Sequence, residues 1–225
     1  MTRLGVICGF QAEAACLRAQ DIAVVCSGGS TRRALAEAKH LVARGAAGLV
    51  SFGLAGGLDP SLRAGDLILA DAVLAADGRR LATDALWTSR LAELAQAAGL
   101  IPRRGVILGG DRLVPTPEAK RALFRMTRTL AVDMESHAVA TAASEAGLPY
   151  LVVRAIADGA KQTIPPAARA ALTSDGRIRT LVVLGRLLRS PSQTAELIRL
   201  GMASRRGLAS LRRVAALGPP CLAIR

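Results

Sequence analysis

Residues 131–140, AVDMESHAVA, place two carboxylates, Asp133 and Glu135, on either side of Met134. Paired acids of this kind do general acid–base work when they are held in a cleft. The plainer reading is a helix start, where acids are ordinary because the first turn favours negative charge. For Asp133 that capping role is expected. His137, two residues past Glu135, reads as a satisfied helix histidine.

The elements that must hold these acids follow from the hydrophobic pattern. Apolar runs at 4–8, 22–26, 48–52, 66–72, 105–108, 129–132 and 150–156 read as buried strands. Helical patterns lie between them at 31–44, 85–98, 117–127 and 135–146. Strands apolar on both faces and separated by helices predict a mainly parallel sheet in an α/β layer fold. Ligands in such sheets bind beyond the carboxyl ends of the strands. Polar or glycine-rich pieces are expected there as loops: GFQAE (9–13), SGGS (27–30), GLAGG (53–57), GGDR (109–112), Asp133–Glu135 and ADG (157–159).

Composition narrows the classes. The chain has 225 residues, long enough for one compact domain, and its 51% hydrophobic content excludes disorder. Cys8, Cys16, Cys26 and Cys221 show no CxxC spacing, and only His40 and His137 are present, so a Cys/His zinc site is not expected. The thiols read as reduced, in a cytoplasmic protein with no leader and no membrane span. The net charge of +13 is concentrated late: from Lys161 onward there are 12 Lys and Arg against two acids.

The motifs SFGLAGGLDP (51–60), GDLILAD (65–71), GGD (109–111), VDMES (132–136) and VRAIADGA (153–160) occur in the order seen in the purine nucleoside phosphorylase / methylthioadenosine nucleosidase superfamily. The chain resembles that superfamily over about residues 4–160, and within it the hopanoid-associated branch. Glu135 and Asp158 are 23 residues apart, which fits the nucleosidases. The resemblance implies a three-layer fold with a mixed, mainly parallel sheet flanked by helices. It fits a catalytic domain at 1–173; after about Thr173 the chain departs from the family pattern, and 174–225 reads as a helical extension. The resemblance implies cleavage of the N-glycosidic bond of an adenosine-type nucleoside with release of adenine, without metal or organic cofactor, in a homodimer. Asp158 would protonate or hydrogen-bond N7 of the departing purine. Glu135 would bind the ribose hydroxyls and Met134 would lie against the sugar. Arg154 would support the acids, and Arg112, Leu113 and Val114 would hold the purine edge. Gly53, Gly56 and Gly57 would admit the nucleoside close to the backbone. The chemistry agrees: an acid aimed at the base relieves its developing negative charge, and a carboxylate with a thioether tolerates a positive sugar.

Water is the expected acceptor. The phosphate-holding places of the phosphorylases align with Ser51 and Leu54, and leucine offers no side-chain donor. Glu13, the single acid of GFQAEAAC, is the candidate general base, although the alignment puts it one residue early, with Ala14 at the expected place. The alternative is a helix-start acid on the surface. In the loop that starts at Ser27, Gly29 takes the place of an apolar family side chain near the 5′ substituent, and the chain before this loop is short. An open 5′ side would suit a large apolar group, and adenosylhopane is the favoured substrate; phosphorolysis and methylthioadenosine or S-adenosylhomocysteine hydrolysis are the enzymatic alternatives. A membrane-surface nucleotide-binding protein is the non-enzymatic one. In the extension, 177–189 and 192–217 read as two helices. The second carries Arg199, Arg206 and Arg213 against Leu197, Leu200, Leu208, Leu211 and Val214. Such a basic amphipathic helix either touches an anionic membrane or packs on its own domain. Nucleic acid is not an expected partner, because the tail has no aromatic residue to stack on bases.

Overall fold

The structure, a computed structural model, describes residues 3–17, 22–166 and 194–218. Eight strands and six helices are described: β1 (Arg3–Cys8), α1 (Gln11–Ala14), β2 (Ala23–Cys26), α2 (Thr31–Ala43), β3 (Ala46–Gly57), β4 (Leu67–Ala75), β5 (Arg80–Ala82), α3 (Ala85–Ala97), β6 (Arg103–Gly109), α4 (Pro117–Thr127), β7 (Ala131–Asp133), α5 (Ser136–Glu145), β8 (Tyr150–Asp158) and α6 (Thr194–Ala215). Local chemistry sets three helix starts. Ser30, Asp84 and Thr116 accept the N–H groups of Arg33, Trp87 and Ala119, and Pro117 opens α4.

All the strands belong to one mixed sheet. β1 pairs in parallel with β2 and β3, β3 with β8, and β4 and β7 with β6. The β3–β7, β4–β8 and β4–β5 pairs are antiparallel. The pairings β3–β8–β4–β6–β7–β3 return on themselves, so this part of the sheet closes into a small barrel. Closure brings three strand ends together, with Gly56 of β3 in register with both Asp158 of β8 and Val132 of β7.

Apolar clusters cover both faces of the sheet. One includes Ala38, Leu41, Ala138 and Val139 of α2 and α5. The other includes Trp87 and Leu91 of α3 and Leu211, Val214 and Ala215 of α6. Thus α6, expected as part of an appended extension, shares a core with the sheet. Gly207 lets it approach: a Cβ there would lie 2.6 Å from Leu54 Cδ2 and 3.1 Å from the Ile156 carbonyl oxygen. The expected helix at 177–189 lies outside the described residues.

The GLAGG run is not a loop. It is the end of β3, paired with β8 from Gly53↔Arg154 to Gly56↔Asp158. Two short elements, α1 and β5, were not expected, since four and three residues carry too little periodicity to read.

Candidate active site

At the carboxyl ends of β3, β7 and β8, α5 begins and α6 passes overhead. Between them lies a cavity of about 620 Å³. Glu13, Asp133, Met134, Glu135 and Asp158 line it, together with Gly29, Gly56, Arg112, Leu113 and Val114. Acids from three separate segments therefore face one space.

Asp133 performs the expected capping. Its Oδ1 accepts from Ser136 N at 3.2 Å and Ser136 Oγ at 2.5 Å, at the start of α5. Its other oxygen lies against Arg154 Nε. Glu135 accepts from Ser27 Oγ at 3.4 Å and lies 3.4 Å from Arg154 Nη2. Thr31 Oγ1 donates to the Met134 carbonyl at 3.0 Å and holds the motif to α2.

Arg154 is fully buried and does not line the cavity. It stands behind the acids and donates to Ser51 Oγ at 2.6 Å. Burial opposes its charge, but Asp133, Glu135 and Glu13 outweigh that and hold it cationic. Burial likewise pushes Glu135 up to about 8, with Arg154 opposing and Asp133 and Glu13 reinforcing the rise.

Glu13 is buried, not a surface acid. Its Oε2 accepts the N–H groups of Gly9 and Phe10 at 2.8 Å each, and its Oε1 accepts that of Leu54 at 2.8 Å. It is a helix-start acid of α1 and a cavity residue at once. The one-residue offset from the expected position does not keep it from the site. Burial raises its pKa, against Arg154 and the three N–H bonds. Three of its roughly four lone-pair directions are used, which leaves one for a ligand.

Several expected contacts change. Ser27, Gly53 and Gly57 do not line the cavity. A Cβ at Gly53 would lie 2.6 Å from Arg154 Nη1 and 2.8 Å from Glu13 Oε2, so this glycine makes room for the protein's own charges. Gly29 is left-handed (φ 69°), and the Phe10 ring lies over it, 3.4 Å from where a Cβ would stand. The side expected to be open is therefore walled. Phe10 and Leu54 form part of the wall, and Leu197, Leu200, Gly201 and Leu208 of α6 extend it. The apolar side of α6 thus serves the core and the cavity.

Sequence reasoning missed Lys120. It is the one buried residue of α4, and its Nζ pairs with Asp158 Oδ2. Nothing in the α4 pattern marks it, because a lysine in an amphipathic helix reads as solvated. Burial raises the pKa of Asp158, and Lys120 opposes that rise. No group of three or more His, Cys, Asp or Glu suited to a metal occurs among the described residues.

Comparison with known proteins agrees with this arrangement. The model of the phosphorylase superfamily matches residues 6–180. A 5′-methylthioadenosine/S-adenosylhomocysteine nucleosidase of Marinomonas sp. is 31% identical over 137 residues, 52% of this chain and 58% of that protein. Its counterpart from Geobacillus thermodenitrificans is 32% identical over 130 residues, 49% and 54%. The chain thus spans little more than half the length of these curated relatives. Among solved structures, the Neisseria meningitidis 5′-methylthioadenosine/S-adenosylhomocysteine nucleosidase with methylthio-immucillin-A aligns at a TM-score of 0.74 and 18% identity, covering 96% of this chain and 98% of that one. Helicobacter pylori futalosine hydrolase aligns at 0.71 and 17%, covering 96% and 97%. With its family model matched over most of its length, the chain belongs to the phosphorylase superfamily.

Proposed function

We propose that the protein hydrolyses the N-glycosidic bond of an adenosine-type nucleoside. The observation that carries this is the convergence of Glu13, Glu135 and Asp158 on one cavity. In the proposed reaction the C1′–N9 bond breaks with its electron pair moving to the purine. Asp158 gives a proton to N7, and a water oxygen bonds to C1′ while Glu13 takes the water's proton. Glu135 holds the ribose hydroxyls, and with the Met134 thioether it lies where the cationic sugar would form. Water as acceptor is supported by the state of the aligned phosphate positions. The Leu54 N–H is taken by Glu13, and Ser51, whose Oγ accepts from Arg154, is fully buried and does not line the cavity.

The finer reading is a nucleoside with a large apolar 5′ group, adenosylhopane in hopanoid side-chain synthesis. The cavity of about 620 Å³, with Phe10, Leu54 and leucines of α6 in its lining, supports it by its room and apolar character, in place of the open side expected from the sequence. A second reading, methylthioadenosine or S-adenosylhomocysteine hydrolysis, is favoured by the activities named for the relatives. A homodimer in the cytoplasm, touching anionic membrane through the arginines of α6, completes the proposal; Ile198 and Met202 are exposed among them. No helix among the described residues is long and apolar enough to cross a membrane.

Adenine release from methylthioadenosine and from adenosine with a long 5′-alkyl group, with and without phosphate, tests the reading. Free sugar as product, and loss of release in Glu13→Gln, are expected. A phosphate requirement with sugar 1-phosphate as product overturns hydrolysis, and no release from any adenosine derivative overturns the enzyme.

A further inference from the structure

The geometry points to Lys120 as the positioning residue of the proposed acid: it fixes which oxygen of Asp158 faces the purine and sets the pH range over which that oxygen carries a proton. This rests on the reading of Asp158 given above.

Lys120 sits in the first turn of α4, and its ammonium is fully buried. Its three hydrogens meet three acceptors. They are Asp158 Oδ2, the Gly159 carbonyl at 2.9 Å and the Gln162 carbonyl at 3.0 Å. An ammonium has three donors, so this one is saturated. Gln162 Oε1 in turn accepts the Gly159 N–H at 2.8 Å. The turn after β8 is thereby tied to α4 through one lysine. Oδ2 is committed to that knot. Oδ1 takes no hydrogen bond from the described residues, and Asp158 lines the cavity. The free oxygen is therefore the one available to a purine nitrogen.

The charge also matters. A buried carboxyl with no cation would hold its proton too tightly to give it up readily. Lys120 opposes that effect at contact range, so the acid parts with its proton more readily than burial alone would allow. A surface lysine would be screened and could not do this.

The test compares wild type, Lys120→Met, Asp158→Asn and the double variant in the full chain. Adenine binding is read by calorimetry from pH 5 to 9, and adenine release from methylthioadenosine is read alongside. Expected is a loss of adenine affinity in Lys120→Met of about tenfold or more, the worth of a charge-assisted hydrogen bond. The pH at which affinity falls should move upward, because the opposing cation is gone. The double variant should bind no worse than Asp158→Asn, since Lys120 acts through Asp158. It also removes both members of the buried pair, so neither is left uncompensated. An unchanged pH profile in Lys120→Met, or losses that multiply in the double variant, overturns the role of Lys120 and leaves Asp158 standing. Wild-type affinity and pH profile in Asp158→Asn overturn the reading of Asp158, and Lys120 with it. A wild type that binds no adenine overturns both.

Discussion

Replacing Arg154 with methionine tests the electrostatic design of the site. The guanidinium is fully buried and faces three carboxyl groups: Asp133 against Nε, Glu135 at 3.4 Å, and Glu13, which shares the space over Gly53 with Nη1. Methionine fills similar space without charge. Removing one member of a buried pair costs about 3–5 kcal/mol, because the other charge is left uncompensated. That is a large part of the roughly 5–15 kcal/mol of a typical domain. The loss should depend on pH. Glu13 and Glu135 already have pKa values raised by burial, and without Arg154 they rise further. A carboxyl whose folded pKa exceeds its unfolded value binds more protons folded than unfolded. Its contribution is full below the ordinary value of 4.5 and is lost as pH climbs toward the folded value, about 8 for Glu135 in the parent protein. The variant should therefore be hurt less at pH 5.5 than at pH 9.5, by up to about 1.4 kcal/mol for each unit of further rise in a carboxyl's pKa that stays below the higher pH. Urea unfolding gives the measurement, followed by the fluorescence of Trp87, the only tryptophan and a core residue. A loss within about 0.5 kcal/mol, the size of an ordinary surface change, or equal losses at both pH values, refutes the argument.

Two further substitutions test the packing. Gly53→Ala drives a methyl into Arg154 and Glu13 and should cost about 1–3 kcal/mol, with base release falling alongside; unchanged melting temperature and turnover would show that the charges can step aside. Leu211→Ala, at a fully buried position of α6, should cost about 2–5 kcal/mol by leaving a cavity, whereas Ile198→Ala on the exposed side should stay within about 0.5 kcal/mol. Equal effects at the two positions would mean that α6 does not anchor in the core.

The sequence made some of this legible because local rules and global packing agree there. The runs around Val6, Val50 and Val152 are apolar because both sheet faces are covered, and their pattern says so. Asp133 was readable as a cap from its place before a helix. GLAGG misled because glycines signal turns, and only the neighbouring side chains show why small residues belong in that strand. Glu13 was ambiguous because a single helical turn decides whether an acid points inward. Lys120 was invisible: its partner lies 38 residues away, and no periodicity marks a buried lysine. The apolar side of α6 was evident, but whether it meets a membrane, the sheet or a ligand is decided by tertiary contact alone.

The two ends of α6 have different obligations. From Leu197 to Leu208 the helix looks onto the cavity, while Leu211, Val214 and Ala215 are rooted in the core. It is a cantilever, clamped at its carboxyl end. Changes near the clamp threaten the whole molecule. Changes at Leu197, Leu200 or Ser204 act on the wall that a bound molecule meets. Specificity and foldedness are thereby assigned to separate turns of one helix, so selection can reshape the first with little effect on the second.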